Sequence, residues 1–266
     1  MAKLNSGISF TGSLGNLSAY TMRGSDKVIL RHKGGPSKKK IKNDPNCINV
    51  RRNNMEFGGR SSTVKHLNLV LYPLKSLADI NIESMLGKML IPAQKLDEAS
   101  SWGQRSVLLS RLPQVIEGFD FNSKNSLSSI IRSPLMHNLS RETLTTKVEI
   151  PALMPGINFF APPGQYPLFS MIGVLGAVPD MRCVRNGYEP MTMINSIHCY
   201  RKVETPWLPT INGAAAMTFD FSIQQLPPGN DWCMMLAVGI RFATVGADGM
   251  PQQIPYTGAA KILAVR

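Results

Sequence analysis

The stretch Thr218-Phe-Asp-Phe-Ser-Ile-Gln224 sets Phe219, Phe221 and Ile223 on one side of an extended chain and Asp220, Ser222 and Gln224 on the other. Successive side chains of a strand point to opposite faces, so this alternation reads as a half-buried β-strand. Residues 144–150, 167–178, 193–204, 216–226, 232–245 and 259–265 read the same way, being alternating or β-branched and separated by Pro, Gly, Asn and Asp clusters. Most prolines lie at or beyond Pro134, at strand ends or in loops, where a missing N–H does no harm. Six or seven antiparallel strands with turns this frequent predict a β-sandwich, immunoglobulin-like or jelly-roll, over residues 139–266.

Upstream of it the period changes. Asn43-Asp44-Pro45 supplies a helix start, with Asp44 as side-chain cap and Pro45 at the first helical position. Over residues 45–72, Ile48, Arg52, Met55, Gly59, Ser62, His66 and Val70 recur at helical spacing. Gly58-Gly59 weakens the middle by roughly 1 kcal/mol per glycine, so either the helix breaks there or another backbone passes close. Residues 73–96 predict a second helix, antiparallel to the first, with an apolar stripe that includes Leu74, Leu77, Met85 and Met89 and with Pro92 stopping it. Residues 97–104 read as a loop, 105–117 as one or two helical turns around Pro113, 118–125 as a strand end and turn, and 126–138 as a short helix broken by Pro134. The fold class is therefore α+β: a basic arm with a β-hairpin at 1–44, a helical section at 45–138 and the sandwich at 139–266.

The arm carries the charge. Residues 1–66 hold eight lysines and five arginines against three acids, a net +10 of the whole chain's +12. Leu14-Gly-Asn-Leu-Ser-Ala-Tyr-Thr-Met-Arg23 and Lys27-Val-Ile-Leu-Arg31 flank Gly24-Ser25-Asp26 and read as a hairpin. Ile8 and Phe10 alternate as in an edge strand, which adds to a neighbour's sheet or pairs within its own subunit. Residues 32–42, with two glycines, a proline and five lysines, read as a connector ordered only by what it touches. Like charges this dense repel unless a negative surface meets them. The residues expected to grip another subunit or a polyanion are Tyr20, Arg23, Arg31, Lys38, Lys39, Lys40, Lys42, Arg51, Arg52 and Arg60. The competing reading is a solvated linker.

The pattern Gly12-Ser-Leu-Gly-Asn-Leu-Ser-Ala-Tyr20, Arg23-Gly24, Val28-Ile-Leu-Arg31, Pro45 and Arg52 resembles the opening of a group of small basic uncharacterised proteins of Bacteroidota. Those proteins similarly finish with an immunoglobulin-like strand pair around a D-G turn. Here Ala237-Val-Gly-Ile-Arg-Phe-Ala-Thr-Val-Gly-Ala-Asp248-Gly249, followed by Tyr256-Thr-Gly-Ala-Ala-Lys-Ile-Leu263, stands in the matching place. The resemblance covers the opening and closing segments and leaves the middle unmatched. It implies an arm, a helical section and a β-sandwich, and it implies no activity.

Catalytic signatures are missing. No G-x-S-x-G, H-E-x-x-H, Walker or G-x-G-x-x-G motif occurs. Cys47, Cys183, Cys199 and Cys233 are scattered, without a C-x-x-C pair or a closely spaced histidine. Free thiols are expected, with Cys199 and Cys233 in the core. His66 reads as a packed or surface residue. Met85 and Met89 read as core filler. No enzyme activity, cofactor, metal or small-molecule substrate is expected. A chain 43% hydrophobic and 17% charged is globular, and it lacks any run of about 18 apolar residues that would span a membrane. Met1-Ala-Lys-Leu-Asn-Ser-Gly7 has no apolar signal core, so the expected location is the cytoplasm or a particle assembled there.

Three roles fit these features. The favoured one is a non-enzymatic subunit that self-assembles into a filament, tube or shell as a homo-oligomer or polymer, its basic arm docking on neighbouring copies. The alternative is a coat or packaging protein whose arm binds nucleic-acid backbone without sequence specificity, since no aromatic residue interleaves the lysine run for stacking. The third is a glycan- or peptide-binding sandwich using Trp102, Trp207 and Trp232 as stacking platforms.

Overall fold

The computed structural model describes residues 2–3, 10–21, 27–195 and 198–266. The chain is mixed α+β and divides into two compact units, residues 1–51 and 52–266.

In the first unit, β1 (Ala2–Lys3), β2 (Gly12–Leu14), β3 (Leu17–Thr21) and β4 (Val28–His32) form an antiparallel sheet in the order β1-β4-β3-β2. The expected hairpin between β3 and β4 is present, with Tyr20 opposite Ile29 and Thr21 opposite Val28. Arg23, Ile8 and the Gly24-Ser25-Asp26 loop lie outside the described residues. The run from Leu14 to Arg23 is not one strand. It folds at Gly15-Asn16 into a further hairpin, β2 with β3, because Gly15 takes a φ of 53° that suits a two-residue turn. Residues 32–42 are also corrected. They are not a bare connector but contain α1 (Lys38–Asn43), one of whose orphan N–H groups, that of Lys40, donates to Ser37 Oγ at 3.2 Å. Lysine is a good helix former, and a capped lysine run needs no core to turn once.

A 3₁₀ turn at Pro45–Cys47, capped by Asp44 as expected, leads into α2 (Ile48–Leu71), and the boundary between the units falls inside this helix. The helix runs unbroken through Gly58-Gly59. What passes close is a side chain rather than a backbone: a Cβ on Gly59 would stand 2.5 Å from the Tyr188 ring.

The expected second helix is instead three pieces: a 3₁₀ segment at Tyr72–Leu77, α3 (Ile82–Met89) and α4 (Ile91–Lys95). Ala78 is extended and Asn81 caps α3 by accepting from Ser84 N. Pro92 sits in the first turn of α4, where its fixed φ starts a helix and its missing N–H is not needed, so it opens a helix where a stop was expected. Two 3₁₀ turns, Leu109–Arg111 and Pro113–Ile116, flank Leu112 as the sequence implied. Residues 126–138 hold a single helical turn, α5 (Leu127–Ile130), and then the start of a strand. The residue before a proline is pushed towards extended geometry, which keeps a helix from continuing through Ser133.

The strands that follow are β5 (Met136–Ser140), β6 (Thr145–Ile150), β7 (Leu168–Pro179), β8 (Met181–Val184), β9 (Gly187–Pro190), β10 (Tyr200–Glu204), β11 (Leu208–Pro209), β12 (Met217–Ser222), β13 (Trp232–Val245), β14 (Pro251–Gln253) and β15 (Ala259–Val265). They pair antiparallel. One sheet has β7 and β13 at its centre, with β10 and β11 beside β7 and β14 and β15 beside β13. A second sheet runs β12-β6-β5, and β8 with β9 is a separate hairpin. Among the described residues of 193–204, the strand is Tyr200–Glu204.

The large sheet is covered on both faces. Phe219 and Phe221 of β12 lie over Gly173 of β7, where a Cβ would come within 2.9 Å of each ring. On the other face Val70 of α2 lies over Gly176, and Leu74 and Leu77 lie over Gly239. The helical elements thus share one apolar cluster with Val174, Val178, Met235 and Ala237 of the sheet, and the small sheet shares another with Met171, Leu175, Leu236 and Val238. This layering explains why β7 and β13 read as near-continuous apolar runs while β6 and β12 alternate.

Candidate interaction surface

The ten residues expected to grip a partner separate into two kinds. In the N-terminal unit, Arg31 of β4 reaches diagonally across to β3 and its guanidinium lies 5.5 Å from the Tyr20 ring centre. Both side chains remain accessible. Lys33 closes the first hairpin, donating from its backbone N to Asn16 O at 2.6 Å and from Nζ to Gly15 O at 3.0 Å. Lys38, Lys39 and Lys42 are exposed on α1 and have no acidic partner among the described residues. Lys40 lies 3.9 Å from Asp44 one turn on. Arg51 points back onto this helix, where Nη1 donates to the carbonyls of Ile41 and Asp44 at 2.8 Å each. It closes the end of the lysine helix rather than presenting a free cation.

In the second unit, Arg52 and Arg60 are engaged internally. The Arg52 guanidinium lies 5.3 Å from the ring centre of Trp102, and its stem fills the space beside Gly103, whose φ is 97°. Arg60 donates to Gln94 Oε1. Gln94 is fully buried, and its Nε2 donates to the carbonyls of Glu56 and Arg105, each at 3.1 Å. Tyr188 donates to Arg105 O at 2.8 Å, and Glu56 Oε1 accepts from Gly103 N at 3.0 Å. This network ties α2 to α4, to the 103–105 loop and to β9. Burial lowers the pKa of Arg60, against the pull of Glu56, and raises that of Tyr188. Gln94, Glu56 and Tyr188 carried no sequence signal apart from Gly59, which makes room for the Tyr188 ring.

The tryptophans do not form a set of open platforms. Trp232 is buried, donates from Nε1 to Gly229 O at 2.9 Å and has Arg141 over its ring at 4.2 Å. Trp207 is half-buried beneath Arg241 at 4.8 Å, and Trp102 is 38% exposed beside Arg52. Cys47, Cys199 and Cys233 are buried, and all four cysteines are free. Burial, with a smaller push from Lys65, lowers the pKa of His66.

The second unit carries an apolar groove of about 1060 Å³ lined by Phe160, Tyr166, Pro209, Ile211 and Val245. Ile211, one of its lining residues, is 85% exposed. Among the described residues no cluster of three or more His, Cys, Asp or Glu is placed to hold a metal, and no helix is long and apolar enough to cross a membrane. Comparison with protein-family models, curated proteins and solved structures finds no match to this chain.

Proposed function

We propose that this chain is a non-enzymatic structural subunit that assembles with copies of itself into a filament, tube or shell, its basic N-terminal arm docking on neighbouring copies. The carrying observation is that residues 1–51 form a compact unit of their own, whose sheet ends in an edge strand, Gly12–Leu14, exposed along its whole length. An edge strand offers unpaired N–H and C=O groups to another chain. Leu14, 66% exposed on that edge, adds apolar area to such a contact. The exposed apolar groove of the second unit supports the same reading, since surface of this kind marks protein contact. We read its two facing sheets as an immunoglobulin-like or jelly-roll sandwich, the chain as a relative of the Bacteroidota group it resembles, and its place of assembly as the cytoplasm or a particle built there.

Light scattering of the whole chain, and of a chain lacking residues 1–44, tests this. The whole chain should be multimeric and the truncated chain a folded monomer. A monomeric whole chain, or truncation that leaves the oligomers unchanged, defeats the proposal.

A second reading is a coat or packaging protein whose arm lies along nucleic-acid backbone, and the exposed Lys38, Lys39 and Lys42 favour it. Such contacts release counterions and weaken steeply with salt. Particles that fall apart on nuclease treatment would favour this reading. Particles that survive nuclease and hold no nucleic acid would favour the first.

A further inference from the structure

A separate cleft of about 360 Å³ opens where α5, the start of β5 and β15 meet. Its accessible apolar lining includes Pro134, Leu135 and Leu263, and around it stand Arg132, Lys261, His137, Ser128 and Ser133. Among the described residues no carboxylate lines it. Lys261 Nζ lies 3.5 Å from Asp120 Oδ2, which partly offsets its charge. Arg132 makes no ion pair among the described residues. Its guanidinium lies over the Phe160 ring at 3.8 Å, a contact that fixes the plane and leaves the N–H fork free.

The hydroxyls are poised as donors. Ser133 Oγ accepts from Asn158 Nδ2 at 2.9 Å and Ser128 Oγ accepts from Lys261 Nζ at 3.4 Å. Each hydroxyl has one O–H, so each keeps a proton to give. His137 spends Nδ1–H on Leu135 O at 3.2 Å, which leaves Nε2 towards other partners. An uncompensated guanidinium, an ammonium and two hydroxyls over an apolar floor form a receptor for an oxyanion attached to an organic body. These donors exceed the roughly four acceptor sites of a carboxylate, and they match the three terminal oxygens of a phosphate monoester.

We propose that this cleft binds a small phosphate monoester, its oxygens received by Arg132, Lys261, Ser128 and Ser133 and its organic part lying on Pro134, Leu135 and Leu263. The proposal is independent of the assembly reading. Titration calorimetry with phenyl phosphate and with benzoate, in low-salt buffer free of phosphate, tests it. Phenyl phosphate should bind saturably, benzoate about tenfold or more weaker, and Arg132→Gln and Lys261→Gln should each weaken phenyl phosphate by about tenfold or more. Lys147→Gln, on the second sheet, should leave binding unchanged. Circular dichroism and melting of each variant verify the fold, and Arg132, an exposed loop residue, carries the test should Lys261→Gln unfold. Absence of saturable binding, equal binding of benzoate, or affinity unaltered by Arg132→Gln overturns the proposal.

Discussion

Gln94 ties three segments of the second unit's helical layer together from one side chain. Its side chain joins Glu56 O, Arg105 O and Arg60 at a fully buried point. Gln94→Leu keeps the bulk and strands those partners, so it should cost about 2–4 kcal/mol in urea unfolding, since each buried group left unpaired costs about 1–3 kcal/mol. Two aspartates should give opposite pH dependences. Burial pushes Asp97 up, but hydrogen bonds from Ser106 and Ser100 outweigh it and hold the carboxyl below its usual range. Its contribution to stability is therefore present above the unfolded carboxylate pKa of about 3.9 and is lost as pH falls through the lower folded value. Asp180 is fully buried, and burial raises its pKa in spite of two hydrogen bonds from Ser110. The folded state then binds the proton more tightly, so stability declines as pH rises from the unfolded value through the folded one. Urea midpoints from pH 3 to 7 should show Asp97→Asn less stable at neutral pH with a shallower acid loss. Asp180→Asn should lack the decline.

At the scale of elements, the neighbouring glycines of α2 make a matched pair. A Cβ at Gly58 meets nothing within 4 Å, whereas at Gly59 it meets a Tyr188 ring pinned by its hydrogen bond to Arg105 O. Gly58→Ala should stabilise by about 0.5–1 kcal/mol, and Gly59→Ala should destabilise by about 1–3 kcal/mol through overpacking. Thermal melts of the two variants check the sign. The lysine helix depends on its ends. Ser37→Ala removes a cap of about 1 kcal/mol and Arg51→Ala removes two carbonyl partners, so amide exchange within α1 should speed up in both while the second unit keeps its protection. The turn at Gly15-Asn16 and the helix at Lys38–Asn43 were hidden in the sequence because both are local choices made by one or two residues, a glycine φ and a serine cap, inside runs whose composition reads otherwise.

For the whole molecule, the assembly reading predicts that salt separates the two kinds of contact. Oligomers held by an edge strand and apolar surface should persist from low to about 0.5 M salt, where the Debye length falls below about 5 Å. Oligomers held by lysines on a polyanion should dissociate, and light scattering across that range distinguishes them. The α+β class, the major strands and the start of the long helix were legible because each is written as a period: two for β12, near four for α2, continuous for the doubly covered β7 and β13. The basic residues were legible as charge but not as a site. The sequence by itself determined the major strands, the start of the long helix and where the charge collects, because those follow from the spacing and type of neighbouring residues. Only the tertiary structure decided that Arg51, Arg52 and Arg60 turn inward onto carbonyls, a tryptophan and Gln94, and that Arg132 and Lys261, 129 positions apart in the chain, line one cleft. Which partner a long cationic side chain meets is set by segments brought together in folding, and local sequence does not encode that.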